Sequence, residues 1–423
     1  MNFKSFFFCI SAATVSPLFA QERAVPISIE TLVFQTLSQN PEIKFYASEI
    51  LATRGESRKA ARLQNPELSL DVGHKRVSSG NAAAEGLAFT ASLAQPIEWP
   101  GRIGLRKAIA DNDTKLAELG LERFKNHLAA RVRLLAYSLA AQQEISAAAS
   151  EVADRYTSLR DVMVQRDPAG IAPMLESLTI EAATIIAQAK AGSAEVEMQK
   201  ALLELNQLMG RRADSSLAVA RPDFTFSEMP TIDSLFAQAA KNHYELKIRL
   251  AELEQQGFKI ALADNERKPT FVVGPFISHE KAGDKETVAG LSLSVPLPLW
   301  ENGKANVDIA KARQLQAQAT LTAAHREVER QVTEAAMLFQ MQRKQLTSWK
   351  PEALNTFRDA AALADRHYRL GAVPIGTYVE LQDKYLEATE AIHQARTQAL
   401  EAALSLEQLT GTAGSLVHSN AKN

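Results

Sequence analysis

The chain carries eight histidines, and none stands at metal-ligand spacing with an aspartate or glutamate. His325 sits in the packing stripe of a long helix, and His74 and His279 fall near hairpin tips; scattered histidine of this kind is usually structural or solvated. The phosphate-cradling G-x-x-x-x-G-K-S/T, the zinc-binding H-E-x-x-H and the nucleophile elbow G-x-S-x-G are missing. The expectation is therefore no enzyme, no cofactor and no dedicated metal site. The chemistry that remains is charge pairing. Acidic Glu176 and Glu380 and basic Arg166 and Arg369 lie within about three helical turns of Gly170 and Gly371, where ion pairs can latch neighbouring helix ends. On the residues alone, an ordinary solvated helix end is the preferred reading of Glu176 and Arg369, since exposed pairs contribute little.

Those charges must be positioned by long helices. Residues 103–165 contain no proline, and at 1.5 Å per residue such a run makes a rod about 90 Å long. Asp167-Pro168-Ala169-Gly170 breaks it, and a helix returns over residues 173–209. A second rod is read at 305–369, with a kink expected at Pro351, and its return at 374–410. Leu321, Val328, Val332, Ala335, Phe339 and Leu346 follow heptad steps, with His325 and Gln342 filling the gaps, so this rod packs along a partner helix. Shorter helices read at about 29–63 and 232–266 add to the returning ones to match a rod in length, and stacked end to end they can line it.

The plan is written twice. Asn65-Pro66, Ser92-Leu93-Ala94-Gln95-Pro96, Gly170-Ile171-Ala172-Pro173 and Leu208-Met209-Gly210 recur, in one order and about 200 residues later, as Lys268-Pro269, Ser292-Leu293-Ser294-Val295-Pro296, Gly371-Ala372-Val373-Pro374 and Leu409-Thr410-Gly411. The organisation read from this is a signal peptide at 1–20, one repeat at 21–210, a linker at 211–230, a second repeat at 231–411 and a flexible tail at 412–423. Lys4, the apolar run from Phe6 to Val15 and Leu18-Phe19-Ala20 before Gln21 carry the export signal. The one cysteine is Cys9, within that signal, which leaves the mature chain without thiol chemistry. The net charge of −2 excludes the basic footprint of a nucleic-acid binder.

Each repeat also holds a hairpin, read as strands at 66–76, 86–96, 269–279 and 288–298. Leu68, Leu70 and Val72 alternate with Ser69, Asp71 and Gly73; Leu87, Phe89, Ala91 and Leu93 alternate with smaller residues; Leu291 and Leu293 alternate with Ser292 and Ser294. Pro275 suits a rim or bulge rather than a central strand. Trp99 and Trp300 stand at the hairpin bases, where an interfacial aromatic belt would lie. Alternation alone equally fits a small soluble sheet; the export signal, the matched hairpins and the rods leaving their bases favour a transmembrane barrel. Four strands cannot close one, so copies must combine, and the residues do not choose between two and three.

These features resemble the outer-membrane efflux protein (TolC) family over nearly all of the mature chain. Residues 95–106, Gln-Pro-Ile-Glu-Trp-Pro-Gly-Arg-Ile-Gly-Leu-Arg, resemble its CzcC branch, which serves heavy-metal efflux pumps. The resemblance implies a mainly α protein with membrane β: duplicated long-helix coiled-coil hairpins form a periplasmic α-helical tunnel, and four strands per chain contribute to the barrel of a homotrimer in outer-membrane lipid. It implies a passive conduit for cations such as cobalt, zinc, cadmium or copper, working with a periplasmic adaptor (membrane fusion) protein and an inner-membrane RND-type transporter. It also implies a gate and adaptor contact at the periplasmic tip, formed by Arg166, Asp167, Gly170, Glu176, Tyr368, Arg369, Gly371 and Glu380. Gly170 and Gly371 match the family's turn glycines, Glu176 an acidic gate position and Tyr368 a tyrosine three residues before the second glycine. Val373 stands where some members have a gate arginine, with Arg369 or Arg166 as candidate substitutes. The competing readings are a periplasmic adaptor, a coiled-coil structural protein of the envelope, and a TolC-like channel for drugs or secreted proteins.

Overall fold

The computed structural model describes residues 26–79, 82–166, 171–220, 224–350 and 352–419. The export signal, Asp167 and Gly170 lie outside them, as does the side chain of Arg166. The first half runs α1 (Ile29–Gln39), α2 (Pro41–Ala60), β1 (Glu67–Ser79), β2 (Ala82–Ile97), α3 (Arg102–Arg166) and α4 (Ile171–Leu208). A short β3 (Phe224–Phe226) follows. The second half runs α5 (Ile232–Asn242), α6 (Tyr244–Glu266), β4 (Phe271–Ala282), β5 (Asp284–Ser294), α7 (Lys304–Ser348), α8 (Ala353–Arg369), α9 (Ile375–Thr410) and β6 (Val417–Ser419).

Short helices line the rods in relays. α2 packs on the part of α3 near the sheet and α4 on the far part. The relay point is Asn40, which is 4% exposed. Its backbone N–H closes α1 on the Thr36 carbonyl, its Oδ1 accepts the Glu42 N–H at 2.8 Å to cap α2, and its Nδ2 donates to the Leu208 carbonyl at 2.9 Å. Pro41 follows at the first helical position, where no N–H is needed. The second half repeats the tie: Asn242 Nδ2 donates to the Thr410 carbonyl at 3.2 Å. In the heptad stripe, Val328, Val332, Ala335 and Phe339 are buried against α5 and α9, whereas His325 is exposed. Pro351, where a kink is expected, lies outside the described residues; on either side of it α7 ends at Ser348 and α8 starts at Ala353.

The strands form one antiparallel sheet in the order β1-β2-β4-β5. Register places Leu68, Leu70 and Val72 opposite Leu93, Ala91 and Phe89. It carries the same face through Ile277 to Leu291 and Leu293. Several features of the sheet differ from the sequence reading. β5 stops at Ser294 rather than 298, because Pro296 and Pro298 lack the N–H a ladder needs. The second hairpin tip is tighter than expected: Lys281 pairs with Lys285, and Gly283 at φ +88° makes the turn. Pro275 lies inside an interior strand, not at a rim. Its missing N–H falls where the β2–β4 ladder lapses, between Ser92↔Phe276 and Gln95↔Val273. There the strands close so tightly that a Cβ on Gly274 would overlap the Leu93 carbonyl oxygen.

The C-terminal segment read as a flexible tail is held through residue 419. β6 pairs with β3. The buried Glu407 carboxylate accepts the Leu416 and Val417 N–H groups at 2.7 and 3.2 Å and that of Gly414 at 3.0 Å. A carboxylate with several backbone donors is a well-satisfied buried charge.

Two of these three bonds come from the Asn40 side chain, so Asn40→Ala should destabilise the purified protein by about 2 kcal/mol. Asn40→Asp keeps the cap but loses the donor to Leu208 and should cost roughly half as much. Urea midpoints at equal m-value check both; equal losses would show that the cap is irrelevant.

Candidate functional site: the sheet faces and the helical tip

The sheet sorts its residues by face. Leu68, Leu70, Val72, Leu87, Leu291 and Leu293 are exposed to the outside. On the opposite face Thr90 Oγ1 donates to Ser278 Oγ at 3.2 Å, and Lys75 pairs with Glu280 and, at 3.8 Å, with Glu286. Beyond the apolar band, toward the tips, the outer face turns charged: Arg76 meets Glu85 at 3.1 Å. An apolar band outside and a polar face inside is the pattern of a barrel strand set in lipid. Among the described residues no helix is long and apolar enough to cross a membrane, and neither outer edge of the sheet is paired.

The base of the sheet is fastened by Arg102, the first residue of α3, 7% exposed. Its guanidinium donates to the Asn265 side-chain oxygen and carbonyl (3.0 Å each), to Thr270 Oγ1 (2.7 Å) and to the Lys268 carbonyl (2.7 Å). Trp99 packs beside Phe271, with ring centroids 5.9 Å apart, and Lys268 Nζ lies 5.2 Å above the indole. One half of the chain is thereby riveted to the other at the strand–helix junction.

At the opposite end of the rods the second turn is a complete glycine C-cap. Gly371 adopts φ +73°, its N–H bonds the Tyr368 carbonyl, and the Ala372 N–H bonds the His367 carbonyl, each at 2.9 Å. Tyr368 stacks on Tyr378, centroids 5.1 Å apart, and its hydroxyl donates a long 3.4 Å hydrogen bond to Glu176 on α4. Burial, then the adjacent Glu176 carboxylate, pushes the Tyr368 phenol up to about 12, so at neutral pH it is a donor. Tyr378 donates to Asp365 at 3.2 Å and meets Tyr156 of α3 edge-on at 5.7 Å. Burial raises both of these phenols as well.

The structure thus brings Glu176 and Tyr368 together. The Arg369 side chain pairs along its own helix with Asp365 at 3.0 Å. Glu380 is exposed and makes no hydrogen bond or ion pair among the described residues. Sequence reasoning missed a buried polar relay. Arg155 binds Glu151 (2.7 Å) and Gln382 (2.9 Å), and Gln382, fully buried, donates to the Ala361 carbonyl at 2.7 Å. The relay joins α3, α9 and α8. The Asp365–Arg369 spacing of four is a findable signal; Gln382 carries none, because its partners come from distant helices. Beside the tip, Leu175, Leu178 and Ile186 of α4 with Val379 and Asp383 of α9 line an open apolar groove of about 480 Å³. Burial raises the Asp383 carboxyl above its ordinary value.

Residues 235–412 match the family model described as outer membrane efflux protein. The chain carries an outer membrane efflux family domain. It is 23% identical over 299 residues to the cobalt-zinc-cadmium resistance protein CzcC of Cupriavidus metallidurans, covering 70% of this chain and 69% of that protein. Its fold matches the Campylobacter jejuni CmeC outer membrane channel with a TM-score of 0.73 at 14% identity, covering 100% of this chain and 95% of that one. It matches CusC with a TM-score of 0.71 at 14% identity, covering 92% of each chain. The efflux-domain chain is a passive outer-membrane channel component of tripartite pumps, with a helical tunnel in the periplasm, and is not an enzyme. Channels of the family are trimeric and work with an adaptor and an inner-membrane pump. The four strands of one copy leave both outer sheet edges open for other copies.

On the lipid face an arginine near mid-membrane costs about 2–4 kcal/mol. Leu291→Arg should therefore deplete the heat-sensitive oligomer in outer-membrane fractions, while Ser292→Arg, on the polar face, should assemble and alter conductance. Equal effects at the two positions would contradict the face assignment.

Proposed function

We propose that this channel is the exit duct for heavy-metal cations such as cobalt, zinc or cadmium. The similarity to CzcC over 70% of the chain carries the reading. In this reading cargo selection belongs to the inner-membrane pump, of RND type, and the duct contributes a polar path. Glu280 and Glu286 on the inner face are already engaged by Lys75, which suits a wall that passes cations without holding them. Deleting the encoding gene should raise the cobalt, zinc and cadmium content of metal-challenged cells, measured by elemental mass spectrometry, and the wild-type chain should restore it. Unchanged metal content with new sensitivity to drugs would favour the drug-channel reading instead.

We further infer that the tip is a latch closed by Tyr368 on Glu176. The bond spans two helical hairpins, α8–α9 and α3–α4, whose splaying would open the tunnel. Glu176→Lys removes the acceptor and should raise single-channel conductance in planar bilayers at least about twofold. Gly371→Pro puts a fixed negative φ where the turn uses +73°, and should abolish efflux while the protein stays in the membrane. Unaltered conductance with Glu176→Lys, or normal efflux with Gly371→Pro, would return these residues to an ordinary solvated turn.

A further inference from the structure

The two strand–helix junctions of the chain are built alike but are not equally covered. In the first, Trp99 and Arg102 flank Gly101 (φ +89°), and both side chains are seated on the α6–β4 junction of the same chain. In the second, Trp300 and Lys304 flank Gly303 (φ +70°) in the same order. There the indole is 94% exposed, with Leu297 and Leu299 at 71% each, and the Lys304 side chain has no partner among the described residues. A tryptophan this exposed beside two leucines is an apolar patch that needs a cover.

The equivalent of the α6–β4 junction is the α2–β1 junction, residues 61–67, and its apolar side is bare too. Leu63 and Leu68 are 61% and 67% exposed, and the Glu67 carboxylate has no partner among the described residues. The bare anchor follows β5 and the bare socket precedes β1, at opposite edges of the sheet. They cannot meet within one copy. Two complementary patches at opposite edges make a head-to-tail contact, which closes into a ring when copies repeat it.

We propose that Trp300 and Lys304 of one copy seat in the α2–β1 junction of the next, with Trp300 covering Leu63 and Leu68 and Lys304 paired with Glu67. The occupant is a second copy of this chain, because the β2–α3 contact with α6–β4 is the same contact made internally, and the cation and carboxylate are complementary. The proposal rests on the outer-membrane channel assignment and goes beyond it by naming the anchor of the subunit interface. Trp300 is then an assembly residue and not a lipid-headgroup anchor.

The test uses the full chain in outer membranes. Trp300→Ala should lower the fraction of heat-sensitive oligomer at least about tenfold, as loss of a buried tryptophan hot spot does, and Trp300→Phe should retain most of it. Lys304→Glu should also lower it, and adding Glu67→Lys should restore it. Cys9 is the only native cysteine, so a Glu67→Cys, Lys304→Cys double variant reports cleanly. A short bis-maleimide should join its subunits into covalent oligomers, and neither single variant should link. A bifunctional maleimide suits the site better than direct oxidation, since an ion pair of long side chains separates the backbones more than a disulfide allows. An oligomer unaffected by Trp300→Ala, with the cysteine pair unlinked, would overturn the proposal and leave Trp300 facing lipid; the wild-type oligomer would still support the channel. A wild-type chain with no oligomer would overturn both.

Discussion

Backbone hydrogen bonding in a medium without water governs this molecule. A sheet set in lipid must satisfy every N–H and C=O internally, and only a closed barrel does so. The chain supplies β1-β2-β4-β5 with both outer edges open, so its own fold is incomplete in the membrane. The internal β2–β4 pairing solves half the problem, joining the two repeats edge to edge without another copy. The remaining edges can be solved only by other copies, and the rods emerging at the strand bases are carried into the same ring. Tunnel and barrel are therefore one cooperative assembly, with Arg102 as the rivet at the seam inside each copy.

Below the sheet the constraint changes from hydrogen bonding to packing. Rods of this length cannot fold around one compact core, and the buried residues divide into separate clusters along them. Alanine is frequent among the contacts between α3, α4, α8 and α9: Ala148, Ala149, Ala183, Ala187 and Ala361 are all buried. Small side chains let helix axes approach closely, and alanine gives the best intrinsic helix propensity. They bury little apolar area each, so the tip gains less per residue from the hydrophobic effect than a leucine-rich core would.

Much of this was readable from the residues, for a physical reason. The duplication, the long proline-free runs and the period-two strands are local patterns, and local patterns survive in sequence. Glycine at 371 announces its left-handed turn because few other residues tolerate one. Contacts between distant elements leave no such trace. Gln382 looks like an ordinary helix-surface residue until α8 is placed against it, and Glu407 like an ordinary exposed glutamate until the C-terminal segment folds back to its carboxylate. Pro275 misled for the opposite reason. The rule that excludes proline from interior strands concerns its missing N–H, and here the ladder lapses at that point. Arg369, a candidate substitute for the gate arginine, finds a partner on its own helix in Asp365, one turn away.

The aromatic phenols at the tip fit the proposed latch. Tyr156, Tyr378 and Tyr368 form a chain of rings from the buried face of α3 toward the groove, each with its hydroxyl on an acceptor at 3.2–3.4 Å. The rings supply contact area that persists through small rotations, whereas the long hydroxyl bonds are weak and directional. Burial holds the phenols protonated, so no charge must be desolvated as the helices separate. A buried ion pair in the same position would leave two unpaired charges on opening, at a cost of several kcal/mol. The polar relay of Arg155 with the fully buried Gln382 lies deeper than the phenol that reaches Glu176 and ties α3 to α9. In the proposed latch, that relay limits the flexing segment to the last turns of the hairpins.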